Sequence, residues 1–217
     1  MILANDALKL LEEGNRRFAA GIQNRDTCLD RTRRTELTKG QEPSAIILGC
    51  SDSRVPAELV FDQGFGDLFV IRVAGNIVAP SQVGSVEFAA ARFGTRLVVV
   101  LGHSQCGAIT ATLEELQRPT ANQSKNLSSI VDRVRPSVEG LLKTDLRHDR
   151  EELIRQAVRA NVSASVEHLR KGSEILENLI RNDGLMVVGA EYSLDTGLVD
   201  FFDGAETGIE LKQAAGF

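Results

Sequence analysis

The sequence predicts an α/β fold: a mainly parallel sheet of about four strands, an added antiparallel C-terminal strand, and flanking helices. Two observations indicate it. Short apolar runs alternate with longer segments of helical periodicity, and each run is apolar almost without interruption, as is typical of parallel strands covered on both faces. The predicted parallel strands are 45–48, 68–73, 97–101 and 185–188.

Helices are predicted before and between these strands. Leu8, Leu11 and Phe18 recur at the spacing of an amphipathic helix, which indicates an N-terminal helical arm over residues 1–40. The chain has neither an internal repeat nor an interdomain linker, so we expect a single domain over 1–217, with its α/β core in 41–217. The other predicted helical segments are 82–93, 108–116 and about 149–181, the last interrupted at Gly172-Ser173.

The C-terminal region predicts the antiparallel strand. Leu194-Asp195-Thr196-Gly197 is typical of a turn, and the run 198–202 after it is expected to return along the preceding strand as a hairpin. The polar segment 118–126 is predicted to be a surface loop.

Composition narrows the classes of function. The 25 Lys and Arg residues against 30 Asp and Glu residues give a net charge of −5, which argues against nucleic acid because phosphate binding relies on a basic surface. The chain lacks a run of about 18 apolar residues, so we expect no membrane-spanning helix. The N-terminal helix carries acidic residues, unlike a signal peptide, and we expect a cytoplasmic protein.

Three cysteines in 217 residues do not make a disulfide framework. In a reducing compartment, cysteine near histidine more often indicates metal binding or catalysis. Cys28 has no cysteine or histidine neighbour in the sequence and is predicted to be a spectator thiol.

The other two cysteines and one histidine are predicted to meet at one edge of the sheet. Cys50 follows the first strand and His103 follows the third, and the carboxyl ends of parallel strands share an edge. Cys106 comes at the predicted start of the next helix, where the helix dipole favours a thiolate. Two thiolates and one imidazole supply three ligands for zinc and leave a fourth position open, which indicates catalysis.

Spacing alone leaves a second interpretation open. Free cysteine is among the most buried residue types, so Cys50 and Cys106 can be core thiols, and His103 can be satisfied by a backbone carbonyl. A glycine beside each candidate ligand favours the metal site, because close backbone approach around an ion requires a missing side chain. These glycines are Gly49, Gly102 and Gly107.

Three motifs resemble those of the bacterial β-class carbonic anhydrases. They are CSDSRVPAE at 50–58, GDLFVIRVAGN at 66–76 and GHSQCGA at 102–108. The resemblance covers nearly the whole chain, from LEEGNRRF at 11–18 to YSLDTG at 192–197. It implies a zinc-dependent lyase, a carbonate dehydratase, that hydrates carbon dioxide reversibly to bicarbonate and a proton with zinc-bound hydroxide as the nucleophile.

The resemblance also implies roles for individual residues. One Zn²⁺ per chain would be held by Cys50, His103 and Cys106. Asp52 and Arg54 would form the catalytic pair beside the open position. In a closed, inactive state, Asp52 would itself become the fourth ligand.

The family's substrate pocket corresponds to four more residues here. Gln41 is expected to donate a hydrogen bond to bicarbonate, Phe69 and Phe88 to form apolar walls for carbon dioxide, and Gly107 to lie in the same pocket. Plain core packing is the alternative for both phenylalanines. In relatives, part of this pocket comes from a second subunit, so a homodimer or tetramer is expected, with the N-terminal arm against the partner.

The chain departs from some bacterial relatives at one position. Those with a second, inhibitory bicarbonate site have a tryptophan three residues before the first cysteine ligand. Here Ile47 stands there and the chain has no tryptophan, although Arg72 and Tyr192 match the other two positions. The sequence therefore leaves open whether the chain has that regulatory site.

Other functions remain compatible with the same residues. Carbon disulfide or carbonyl sulfide hydrolysis uses a related site on the same fold, and a catalytically silent zinc protein would keep the ligands without turnover. A thiol enzyme using Cys50 or Cys106 is a third alternative. The presence of Asp52 and Arg54 beside the complete ligand set favours catalysis.

Overall fold

The structure, a computed structural model, describes residues 2–22, 31–119 and 124–205. Its strands form one sheet in the order β2-β1-β3-β4-β5, in which the first four run parallel and β5 runs antiparallel to β4. This confirms the predicted fold class, including the C-terminal hairpin. The strands are β1 (Ala45–Gly49), β2 (Leu68–Arg72), β3 (Leu97–His103), β4 (Met186–Tyr192) and β5 (Val199–Asp203).

Helices cover both faces of the sheet. The α-helices are α1 (Ala4–Ala19), α2 (Arg31–Glu36), α3 (Ala57–Val60), α4 (Pro80–Arg92), α5 (Gly107–Gln117), α6 (Lys125–Val138), α7 (Arg150–Lys171) and α8 (Glu174–Asn182). Short 3₁₀ helices occupy Leu37–Lys39, Ala74–Asn76, Leu141–Lys143 and Asp145–His148. Among the described residues, none of these helices is both long and apolar enough to cross a membrane.

Two of the boundaries that differ from the sequence prediction have a clear physical reason. The predicted loop over 118–126 ends earlier, because α6 begins at Lys125 with Ser124 as its N-cap. The predicted strand 185–188 continues as far as Tyr192, past Gly189, which interrupts the apolar run. A Cβ on Gly189 would lie 2.9 Å from Val162 Cγ1, so glycine is required there by close packing of α7 on the sheet. Cys28 lies outside the described residues.

Strand β1 shows how the sheet separates two apolar layers. Every residue of β1 is buried. Ala45 and Ile47 join a core cluster with α1 and α3, whereas Ile46 and Leu48 join a cluster with α4, α7 and α8. This alternation follows from the two-residue period of a strand and explains why the run lacks polar residues.

Helix α1 belongs to the core of its own chain. Leu8 and Leu11 are buried in the cluster that includes Ile47. Asn15 fixes the helix to α3 and to the β4–β5 turn. Its Nδ2 donates to Val60 O at 3.1 Å and to Gly197 O at 2.9 Å. Its Oδ1 accepts from Val199 N at 2.8 Å. One buried amide therefore joins α1, α3 and the β4–β5 turn.

We expect Asn15→Ala to lower the free energy of unfolding by about 3 kcal/mol, because it leaves several partly or fully buried backbone groups without a hydrogen bond. Urea unfolding at fixed protein concentration measures it. Glu13→Ala, at an exposed position of the same helix, is the matched control. Equal stability of the two variants would contradict the role of Asn15.

Candidate metal centre

Cys50, His103 and Cys106 come together at the carboxyl edge of the sheet. Gly49, the last residue of β1, lies opposite Leu101 of β3, so Cys50 directly after β1 and His103, the last residue of β3, lie at the same end of two neighbouring strands. Cys106 is the N-cap of α5. The three ligand atoms lie within 4.8 Å of one another, and all three side chains are buried. The structure thus assembles the predicted constellation.

The hydrogen bonds of His103 leave one ring nitrogen free to bind a cation. Its Nδ1 lies 2.9 Å from Ser104 O, a carbonyl that can only accept, so Nδ1 carries the proton. Its Nε2 is therefore a bare acceptor, and it is buried without a hydrogen-bond partner in the part of the chain that the structure describes. A metal-ligating histidine has this arrangement, with one nitrogen held by a backbone carbonyl and the other turned to the ion.

The two thiols are coupled by their proximity. Cys50 Sγ lies 4.0 Å from Cys106 Sγ. Hydrogen bonds from Cys106 and from the Gly75 N–H lower the pKa of Cys50 to about 4, against the effect of burial. The pKa of Cys106 is raised, because its thiol donates to the Cys50 sulfur and lies in a buried site beside that charge. One proton therefore stays on the pair unless a cation compensates the second negative charge.

Apolar packing surrounds the sulfurs. Cys50 and Cys106 share a core cluster with residues of α5, α6 and α7. The Gly75 N–H, which donates to Cys50 Sγ at 3.3 Å, is the backbone donor directed at that thiolate. The N–H groups of Ala108 and Ile109, in the first turn of α5, act in the same direction on Cys106.

The turn between His103 and Cys106 is fixed from the end of β4. Ser104 N donates to Tyr192 O at 2.9 Å, and Ser104 Oγ accepts from Leu194 N at 3.0 Å. Gln105 follows with a φ of 56°, in the left-handed region that L residues seldom adopt. This tight turn brings His103 and Cys106 back to one point.

Asp52 and Arg54 form a two-pronged ion pair beside the ligands. Arg54 Nε donates to Asp52 Oδ1 at 2.9 Å and Nη2 donates to Oδ2 at 2.8 Å. The Arg54 backbone N–H adds a bond to Oδ1 at 3.0 Å. The guanidinium contact, and then the bond from the Arg54 backbone N–H, hold the pKa of Asp52 well below its usual range. Oδ2 lies 3.8 Å from His103 Nε2, so an ionised carboxylate borders the candidate metal position.

Arg72 holds the loop that carries these residues. Its Nε donates to Cys50 O at 3.0 Å and its Nη2 to Asp52 O at 2.5 Å. The sequence indicates Arg72 only as a match to one position of an inhibitory bicarbonate site. Its contact with the loop depends on the register of β2 against β1, where Arg72 lies opposite Gly49, and the sequence does not provide that register.

The four predicted pocket residues do not all lie near this edge in the single chain. Gly107 follows Cys106, and a Cβ on it would meet nothing within 4 Å. Gln41 is exposed before β1. Phe69 lies three residues before the end of β2, about 10 Å along the strand, and its ring packs against that of Phe88 with centroids 6.3 Å apart. Phe88 is 54% exposed.

Ile47 and Tyr192, two of the three positions compared with the family's inhibitory bicarbonate site, are buried. Ile47 and Tyr192 lie in one core cluster, the one on the α1 face of the sheet. Burial raises the pKa of Tyr192. Ile47, which stands where some relatives have the tryptophan, is thus an ordinary core residue in the described structure.

Sheet and ligands together define a class: an α/β protein with a possible metal site of two cysteines and one histidine at the carboxyl edge of its strands. The family model described as carbonic anhydrase matches residues 45–199. The chain belongs to the β-carbonic anhydrase family.

Relatives and solved structures agree with this assignment. The chain is 40% identical over 197 residues to carbonic anhydrase 2 of Mycobacterium tuberculosis (strain CDC 1551 / Oshkosh), across 88% of this chain and 89% of the relative. It is 37% identical over 199 residues to a carbonic anhydrase of Mycolicibacterium smegmatis, across 89% and 91%. The β-carbonic anhydrase CafA of Aspergillus fumigatus matches with a TM-score of 0.71 and 27% identity, across 80% of this chain and 81% of that chain.

We expect Cys50→Ser and Cys106→Ser each to lose the metal, because serine replaces a soft thiolate ligand with a hydroxyl that stays protonated. Elemental analysis of the purified variants measures metal per chain. Cys28→Ser is the matched control and is expected to keep the metal. A full complement of metal in either ligand variant would contradict the assignment.

Proposed function

We propose that the chain is a zinc-dependent carbonic anhydrase that catalyses the reversible hydration of carbon dioxide to bicarbonate and a proton. One observation carries the proposal: in a member of this family, three buried ligand atoms within 4.8 Å of one another lie beside an ionised aspartate held by arginine. The donors fit zinc, which favours cysteine sulfur and histidine nitrogen in a tetrahedral arrangement.

Cys50, His103 and Cys106 would hold one zinc ion per chain. The unpartnered Nε2 of His103 and the two sulfurs 4.0 Å apart are the groups that such an ion would satisfy. When bound, zinc lowers the pKa of a coordinated water from about 15.7 toward about 7, which supplies a nucleophile near neutral pH. Two thiolates reduce the charge of the ion, so neighbouring residues must contribute to that activation.

Asp52 is the neighbouring residue placed to contribute to the activation of the water. Its carboxylate is ionised because Arg54 holds its pKa low, and it can therefore accept a hydrogen bond at every pH near neutrality. We propose that Asp52 orients the attacking water toward carbon dioxide. Arg54 keeps both carboxylate oxygens engaged, and Arg72 fixes the backbone of the same loop. Release of Arg54 would let Asp52 become the fourth ligand in a closed state.

A second copy of the chain is proposed to complete the substrate pocket. β2 is an edge strand of the sheet, and Phe88 is largely exposed beside Phe69. Gln41 is exposed in the loop before β1. Residues that lie away from the metal ligands in one chain can approach those of a partner across such an edge. Two β-carbonic anhydrases of Sordaria macrospora are described as tetrameric, and one matches this chain with a TM-score of 0.69 and 25% identity, across 78% of this chain and 85% of that chain. We propose a homodimer or tetramer.

Stopped-flow hydration of carbon dioxide with a pH indicator tests the proposed activity. We expect metal-loaded protein to exceed the buffer rate at mildly alkaline pH. Carbon disulfide and carbonyl sulfide should be assayed in parallel, since turnover of either one alone would assign the chain to that hydrolysis instead. Stoichiometric metal without turnover of any of the three would indicate a structural zinc protein.

We expect Asp52→Asn to keep the metal but to reduce turnover by about 100-fold, because the amide removes the anionic acceptor beside the open position. Elemental analysis and stopped-flow rates measure the two effects. Asp132→Asn is the matched control, since Asp132 also pairs with an arginine, Arg135, but lies on α6. Unchanged turnover in Asp52→Asn would remove Asp52 from the mechanism.

A further inference from the structure

The backbone donor to the Cys50 sulfur lies in an unusual turn. Gly75 has φ 70° and ψ 19°, and Asn76 follows with φ 42°, so two consecutive residues occupy the left-handed region. A Cβ on Gly75 would lie 3.2 Å from the Cβ of Ala108 in α5. Glycine therefore permits both the backbone angle and the close approach that direct the N–H at Cys50 Sγ.

Helix α7 holds this turn by two buried side chains one helical turn apart. Asn161 Nδ2 donates to Gly75 O at 2.8 Å, and Ser165 Oγ donates to Asn76 O at 3.3 Å. Asparagine is an unfavourable residue in a helix interior, and Asn161 lies in the middle of α7. Its amide is explained by the bond to Gly75, not by helix stability.

The same part of α7 also contacts the backbone next to His103. A Cβ on Gly102 would lie 2.6 Å from Val162 Cγ2 and 3.2 Å from Val158 Cγ1. These valines flank Asn161 in the helix. One stretch of α7 is therefore packed against two segments that lead to the candidate ligands: Gly102 before His103, and Gly75 beside Cys50.

We propose that Asn161 is a positioning residue for the metal site: by fixing the Gly75 turn, it maintains the N–H···S hydrogen bond on Cys50. This inference rests on the proposed metal site. A hydrogen bond to a thiolate withdraws electron density from the sulfur, so less charge passes to the ion and the ion stays a stronger Lewis acid. Asn161 thus influences the metal through one peptide group without touching a ligand.

Cadmium, which is softer than zinc and also binds thiolates, gives a direct measurement. In NMR, its magnetically active isotope shows scalar coupling to an amide proton across an N–H···S hydrogen bond. In cadmium-loaded wild-type protein labelled with a magnetically active nitrogen isotope, we expect the Gly75 amide to show this coupling. In Asn161→Ala the coupling should be lost, and zinc affinity, measured by competition with a chelator, should fall by about tenfold because the Cys50 ligand loses the donor that holds it in place.

Ser165→Ala is the matched control, because it removes a buried bond from the same helix to the next carbonyl. We expect it to keep the Gly75 coupling. If Asn161→Ala fails to fold, Asn161→Leu removes the donor while retaining side-chain volume. The inference is overturned if wild type shows no Gly75 coupling, or if a folded Asn161 variant keeps it, whatever its stability. A chain that binds no cadmium or zinc would overturn the proposed metal site as well.

Discussion

The repulsion between two buried sulfurs 4.0 Å apart is the constraint on which the site depends. In apolar surroundings, two cysteine thiols at that distance cannot both be ionised without a cation. The pKa of Cys50 is therefore lowered while that of Cys106 is raised. His103 adds a neutral nitrogen lone pair without a protein partner in the described structure. A divalent ion would satisfy all three groups at once, which would link metal affinity to the local fold.

The sheet supplies the rigidity that this arrangement requires. Every residue of β1 and β3 is buried, and the two strands pair directly, so the segments that follow them leave the edge at a fixed separation. Backbone donors then act on the sulfurs: Gly75 N–H on Cys50 and the first turn of α5 on Cys106. Apolar packing raises the energy of a thiolate, whereas these backbone donors lower it. The site combines a low dielectric with donors already in place, as preorganised electrostatics requires.

Local patterns in the sequence were sufficient for the fold class and for the meeting of Cys50, His103 and Cys106 at one edge of the sheet, because both depend on local signals. Unbroken apolar runs predict parallel strands, and residues directly after such strands share an edge whatever the register. The roles of Arg72, Gly75 and Asn161 were not predictable in this way. Arg72 contacts the Cys50 loop only in one register of β2 against β1. Asn161 bonds to Gly75 although the two residues are 86 positions apart in the sequence. Helix α6 was missed because its first turn is polar.

The geometry of Asp52 restricts how any pH-dependent closure could operate. Arg54 holds the pKa of Asp52 far below neutrality. The carboxylate is therefore already ionised at every pH at which a metal-bound water would lose its proton. Protonation of Asp52 therefore cannot be the event that separates an open state from a closed one near neutral pH. In the proposed closed state, what would change with pH is the competitor for the fourth position, because water binds a cation less strongly than hydroxide does. Arg54 is half exposed, so solvent weakens its hold on Asp52, and the carboxylate can respond to that competition.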